Sequence, residues 1–218
     1  IERYLDEFLK SLQRQTCKNF DLVVVNDGCD GFKDIINEYS DFRIIELKLS
    51  EVPSKNREFG IQYVKRKKYD VLILADSDDY FEPNRVEVSV NYLKNYDVVV
   101  NDLSLVLDGA VYCEGYLSKR VMNNQEIFLD DILDKNIFGF SNTALNVNVI
   151  DEVEMDKDLV AVDWFFFSRI LFSGASSVFT NETRTYYRQW GGNTIGIDKM
   201  TCELLDRGID VKIKHYGL

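Results

Sequence analysis

Residues 20–28, FDLVVVNDG, and residues 71–79, VLILADSDD, decide the fold. Each is an apolar run too short for a helix, and each closes on acidic residues that mark a turn. A nearly continuous apolar run suits a strand covered on both faces, as in a parallel sheet. Working outward, Leu5, Phe8, Leu9 and Leu12 recur at helical spacing and predict an opening amphipathic helix. Phe32, Ile35, Ile36 and Tyr39 predict a second helix, and residues 42–47 (FRIIEL) a second strand. A helix over residues 56–68 carries Ile61 and Val64 inward. Pro83 suits the first turn of the next helix, which presents Val86, Val90 and Leu93 on one face. Residues 96–101 (YDVVVN) read as a further strand.

This alternation over residues 1–101 predicts an α/β fold whose mixed, mainly parallel sheet is flanked by helices. The second half is less regular. Residues 142–149 read as a strand, 163–172 as an aromatic helix, and 177–180 and 185–188 as two short strands. The chain enters its first helix almost at once, where a doubly wound unit has a strand first. We therefore expect an N-terminal truncation, with the missing strand at the centre of the sheet.

The chain has 218 residues, enough for one large domain without help from disulfides or metals. Hydrophobic residues make up 45% and charged residues 29%, which argues against disorder and collagen. Lys and Arg number 26 against 37 Asp and Glu, a net charge of −11 that disfavours nucleic acid as a partner. No apolar run reaches the roughly 20 residues of a membrane span, and no signal peptide is visible. Cys17, Cys29, Cys113 and Cys202 form no CxxC pair, and His215 is the single histidine. That excludes an ordinary structural zinc site and places the protein in a reducing, cytoplasmic setting.

In open parallel sheets, ligands sit beyond the carboxyl ends of the strands. Asn26-Asp27 and Asp76-Ser77-Asp78-Asp79 occupy two such ends and should face one crevice. Two carboxylates about 4 Å apart repel by roughly 1–4 kcal/mol, a cost that a divalent cation converts to attraction. The acidic turn thus reads either as a metal–diphosphate site or as a solvated turn capping the next helix.

Five stretches together resemble family 2 glycosyltransferases, in that family's order, over most of the chain from residue 4 to about 196. Residues 18–30 (KNFDLVVVNDGCD) are similar to KNFEIIVVDDGSTD, and 54–61 (SKNREFGI) to SxARNxGI. Residues 74–83 (LADSDDYFEP) are similar to LDxDDxxxP, 162–171 (VDWFFFSRIL) to EDWDLWLRLL, and 187–196 (YRQWGGNTIG) to YRQHGNNTIG. The resemblance implies a GT-A fold and sugar transfer from a nucleoside-diphosphate donor to an acceptor hydroxyl. That transfer generally proceeds with inversion and a divalent metal, Mn²⁺ or Mg²⁺. It implies that Asp27 contacts the donor base and Arg57 the nucleotide. Asp76 and Asp78 form the aspartate–x–aspartate pair, with Asp78 on the metal and Asp79 as its helper. Asp163 is the general base, and Trp164 lines the acceptor site. The expected acceptor is a saccharide, which loose membrane contact at the inner face would accompany if it is lipid-linked.

On this reading residues 1–101 are the nucleotide-sugar half, 102–196 the acceptor half of the same domain, and 197–218 a tail. The sequence departs from the family in three places. Trp190 replaces a histidine that can help bind metal, Val162 replaces the glutamate before the general base, and the first family strand is absent. These departures motivate an alternative, a non-catalytic sugar-nucleotide-binding module. A nucleotidyltransferase ranks last, because no Gly-rich basic loop opens the chain.

Overall fold

The computed structural model describes residues 2–157, 159, 161–189 and 202–217. Helix α1 (Glu2–Gln13) buries Leu5, Phe8, Leu9 and Leu12 against Phe32, Tyr39, Phe42 and Phe81. Each such side chain contributes about 1.5–3 kcal/mol when fully buried. Strand β1 (Asp21–Asn26) follows, then the short helix α2 (Phe32–Ile36) and strand β2 (Arg43–Lys48). β1 and β2 pair in parallel from Asp21 opposite Arg43 to Asn26 opposite Lys48.

Helix α3 (Pro53–Arg66) starts on a proline, whose missing N–H costs nothing in a first turn. It packs closely on β1 because Gly60 has no side chain; a Cβ there would lie 3.2 Å from Val25 Cγ2. Strands β3 (Val71–Ile73) and β4 (Tyr80–Phe81) flank the acidic turn, and helix α4 (Arg85–Tyr92) follows. Pro83 precedes α4 rather than sitting inside it.

Strands β5 (Val98–Leu107) and β6 (Ala110–Cys113) form a hairpin. Beyond a single helical turn at Leu129–Ile132 come strand β7 (Thr143–Asn146), another such turn at Val147–Val149, and helix α5 (Val162–Phe172). Strand β8 (Ser177–Gln189) and helix α6 (Cys202–Tyr216) complete the described chain.

The larger sheet has the order β3-β7-β5-β8-β4, with β6 added to β5. It is mixed rather than mainly parallel. β3, β5 and β8 share one direction, but β7 enters between β3 and β5 in the opposite sense, and β4 and β6 are antiparallel to their neighbours. The two short strands expected at 177–180 and 185–188 are one strand. Asn101 pairs with Thr180 and Asp102 with Arg184, so residues 181–183 bulge out between two regular stretches. β1 and β2 form a separate two-stranded sheet. Among the described residues, β1 pairs only with β2 and β3 only with β7, so each has an open edge.

The main core joins β5, β7 and β8 to α5, with Phe138, Phe167, Phe179, Leu145, Val98 and Val100 almost fully enclosed. The 101/102 division expected from sequence falls inside β5, so both halves share one sheet. Among the described residues, no helix is long and apolar enough to cross a membrane.

Candidate active site

The turn after β1 is built by Asn26. Its Oδ1 accepts the N–H groups of Gly28 and Cys29 at 3.1 and 2.8 Å, and its Nδ2 donates to the Cys29 carbonyl at 3.0 Å and to Glu46 Oε1 at 2.8 Å. Gly28 takes φ +127°, a conformation side chains disfavour. This lifts Asp27 onto the exposed crest of the turn, where its Oδ2 accepts from Asn56 Nδ2 at 3.1 Å. Asn56 is buried and also donates to the Glu51 carbonyl at 3.0 Å.

Arg57, the next residue on α3, reaches the other acidic turn. Its Nη2 donates to Asp76 Oδ1 at 2.7 Å. The guanidinium stands 5.0 Å from the centre of the Phe140 ring, an additional cation–π contact. Burial alone would lower the Arg57 pKa, but Asp76, then Asp163 and Asp78, outweigh it and raise it. One cation therefore senses the carboxylates of three different positions in the sequence. Adjacent residues of a single helix, Asn56 and Arg57, tie the turn after β1 and the turn after β3 to one place.

Asp163 lies in the first turn of α5, half-buried, and its Oδ1 accepts the N–H of Trp164 at 2.8 Å. Burial raises its pKa to about 6. The Trp164 N–H, Arg57 and the Asn136 side chain oppose that rise, and Asp76 adds to it. A carboxylate so placed is ionised at neutral pH and basic enough to take a proton from a hydroxyl.

Two expected residues are placed differently. Asp79 is 1% exposed, and its Oδ1 accepts the main-chain N–H of Arg188 at 2.8 Å. Burial, with Asp76 next, raises its pKa well above the carboxylate range. It anchors the turn to β8 instead of presenting an open ligand. Trp164 is buried as well, because α5 is apolar almost all round and turns the indole into the core. Its Nε1 donates to the Ile132 carbonyl at 2.8 Å, and its face stacks on His215 of α6 with ring centres 4.4 Å apart. That covers the face expected to meet a sugar. Trp190 lies outside the described residues.

Sequence reading missed Arg85 and Arg188, both buried beside the acidic turn. Arg85 Nη2 donates to the Leu74 carbonyl at 2.7 Å, and Arg188 Nη1 donates to the Asp78 carbonyl. A signal existed only for Arg188, which belongs to the 187–196 motif. Among the described residues, no group of three or more His, Cys, Asp or Glu side chains could hold a metal ion. Asp76 and Asp78 offer hard oxygen donors on a partly exposed turn. That set suits Mg²⁺ or Mn²⁺ sharing its coordination with a diphosphate.

Comparison with known proteins gives the family and the fold. The family model described as glycosyl transferase family 2 matches residues 2–151. An uncharacterized glycosyltransferase of Methanocaldococcus jannaschii is 35% identical over 102 residues, 43% of this chain and 33% of that protein. The chain spans about a third of the length of the curated relatives it matches first, 33% and 38%. Among solved structures, Staphylococcus aureus TarS 1–349 in complex with UDP-GlcNAc superposes with a TM-score of 0.72 at 18% identity, covering 98% of this chain and 63% of that one. The mannosyltransferase PcManGT from Pyrobaculum calidifontis, in complex with GDP-Man and Mn²⁺, gives 0.64 at 14% identity, covering 99% and 59%. The fold is that of the GT-A glycosyltransferases, and the chain belongs to glycosyltransferase family 2.

Proposed function

We propose that this chain transfers a sugar, with inversion, from a nucleoside-diphosphate donor to the hydroxyl of a saccharide acceptor, free or lipid-linked. The observation that carries this reading is Arg57, which bonds Asp76 and senses Asp163 and Asp78 together. The complexes of TarS with UDP-GlcNAc and of PcManGT with GDP-Man and Mn²⁺ support the donor class.

Asp27 takes the donor base, and Asp76 takes the ribose. Arg57 offers a planar donor fork to the diphosphate. Asp78 would hold a divalent cation, Mn²⁺ or Mg²⁺, which supplies Lewis-acid stabilisation of the leaving diphosphate. Asp163 accepts the acceptor hydroxyl's proton as that oxygen attacks the anomeric carbon from the face opposite the departing phosphate. Orientation of the two substrates between Arg57 of α3 and Asp163 of α5 supplies further rate.

The test is a transfer assay over a panel of sugar nucleotides and saccharide acceptors, with Mn²⁺, with Mg²⁺ and with a chelator. Transfer is expected with one donor class and is lost on chelation. Donor binding without turnover under every condition would replace the enzyme with a binding module.

A further inference from the structure

Two arginines that the proposed reaction leaves unused lie beneath the acidic turn. Arg85 of α4 is 2% exposed. It donates through Nη2 to the Leu74 carbonyl at 2.7 Å and through Nε to Asn101 Oδ1 at 3.3 Å. Its guanidinium also covers the Phe81 ring at 4.1 Å. Burial pulls its pKa down to about 9, against the pull of Asp79 and Asp76. Arg188 of β8 donates to the Asp78 carbonyl and pairs with Glu7 of α1. Its guanidinium lies 4.5 Å from the Tyr4 ring centre and 4.9 Å from that of Tyr80. Its own main-chain N–H holds Asp79.

A buried guanidinium is costly unless its donors are satisfied. Here both satisfy donors on main-chain carbonyls, at position 74 before the acids and at position 78 among them. The same stretch carries the acids Asp76, Asp78 and Asp79, and two ionised carboxylates about 4 Å apart repel by roughly 1–4 kcal/mol, which favours opening of such a turn when no cation is present. We infer that Arg85 and Arg188 are positioning residues, clamping the main chain on both sides of Asp76 so that the turn is preset for a cation and a diphosphate before either arrives. The inference rests on reading this turn as the diphosphate end of the proposed donor site. Presetting removes the ordering cost that binding would otherwise carry.

Lysine keeps the charge but lacks the planar fork that spans two acceptors, so Arg188→Lys isolates the geometry. The first measurement is hydrogen exchange on the cation-free protein, for wild type, Arg188→Lys, Arg188→Met and Arg85→Lys. Amides of residues 75–80 are expected to exchange at least about tenfold faster in each variant, with those of β5 unchanged. The second is Mn²⁺ titration in the presence of UDP or GDP, where the dissociation constant is expected to rise about tenfold. Unchanged exchange over 75–80 in folded Arg188→Lys and Arg188→Met overturns the inference. If Arg85→Lys fails to fold, the two Arg188 variants decide. The exchange measurement involves neither donor nor turnover, so its outcome is separate from the success or failure of the transfer assay.

Discussion

Arg57 on α3 and Asp76 at the end of β3 are joined by a 2.7 Å hydrogen bond, and both side chains are about one-third exposed. The pair is thus partly open to solvent, and its charges are felt at Asp163. Arg57 holds the Asp163 pKa down, and Asp76 pushes it up.

Asp163→Asn is expected to lower kcat by about 10²–10⁴-fold while leaving donor affinity nearly unchanged. Steady-state kinetics beside donor titration measures both. A kcat close to wild type would remove the general-base assignment.

The wild-type rate is expected to fall on the acid side of pH 6, the value to which burial raises Asp163. Arg57→Gln removes a positive charge that stabilises the carboxylate, so the acid limb should move to higher pH. A pH–rate profile of the two proteins checks the direction.

Stability carries a related signature. The folded pKa of Asp163, about 6, lies above the unfolded value near 3.8, so the folded state binds the proton more tightly. This group's contribution to stability is greatest below about pH 4 and is lost as pH rises through 6. Asp163→Asn should therefore raise Tm relative to wild type more at pH 8 than at pH 4, as thermal melts at the two values would record.

Asp78→Asn should weaken cation-dependent donor binding, visible as a smaller thermal shift by a nucleoside-diphosphate sugar with Mn²⁺. An unchanged titration would move the cation to another ligand.

Trp164→Ala is expected to cost about 3–5 kcal/mol of stability, as large-to-small changes in a core do. Trp164→Phe should retain most stability and leave the acceptor KM within about twofold, since the indole face is already covered by His215. Denaturant melts and acceptor kinetics separate these effects.

The local elements were legible because periodicity reports them. Leu5, Phe8, Leu9 and Leu12 give α1, and the runs ending at Asn26 and Ile73 give strands that place their acids at carboxyl ends. The motif resemblance singled out Asp27, Arg57, Asp76 and Asp163, and the structure joins Asp27 to Asn56 and Arg57 to Asp76. What spacing cannot report is which way a side chain turns. Trp164 and Asp79 sit one residue from Asp163 and Asp78, yet the packing of α5 and the Arg188 N–H draw them inward. The antiparallel entry of β7 was also hidden, because pairing between residues 71–73 and 144–146 leaves no local trace. Nor does sequence reveal a buried arginine: Arg85 looks like any charged residue of a helix.

Glu7 and Arg188 stand 181 positions apart, and their contact completes the hold on the Asp78 carbonyl. During synthesis α1, β1 and β3 emerge long before β8 can dock, so the acids of the turn wait unsupported until residue 188 has left the ribosome. Contacts of such separation form late and slowly. Fragments ending before position 188 should fold their early helices and strands yet bring no competent pocket with them.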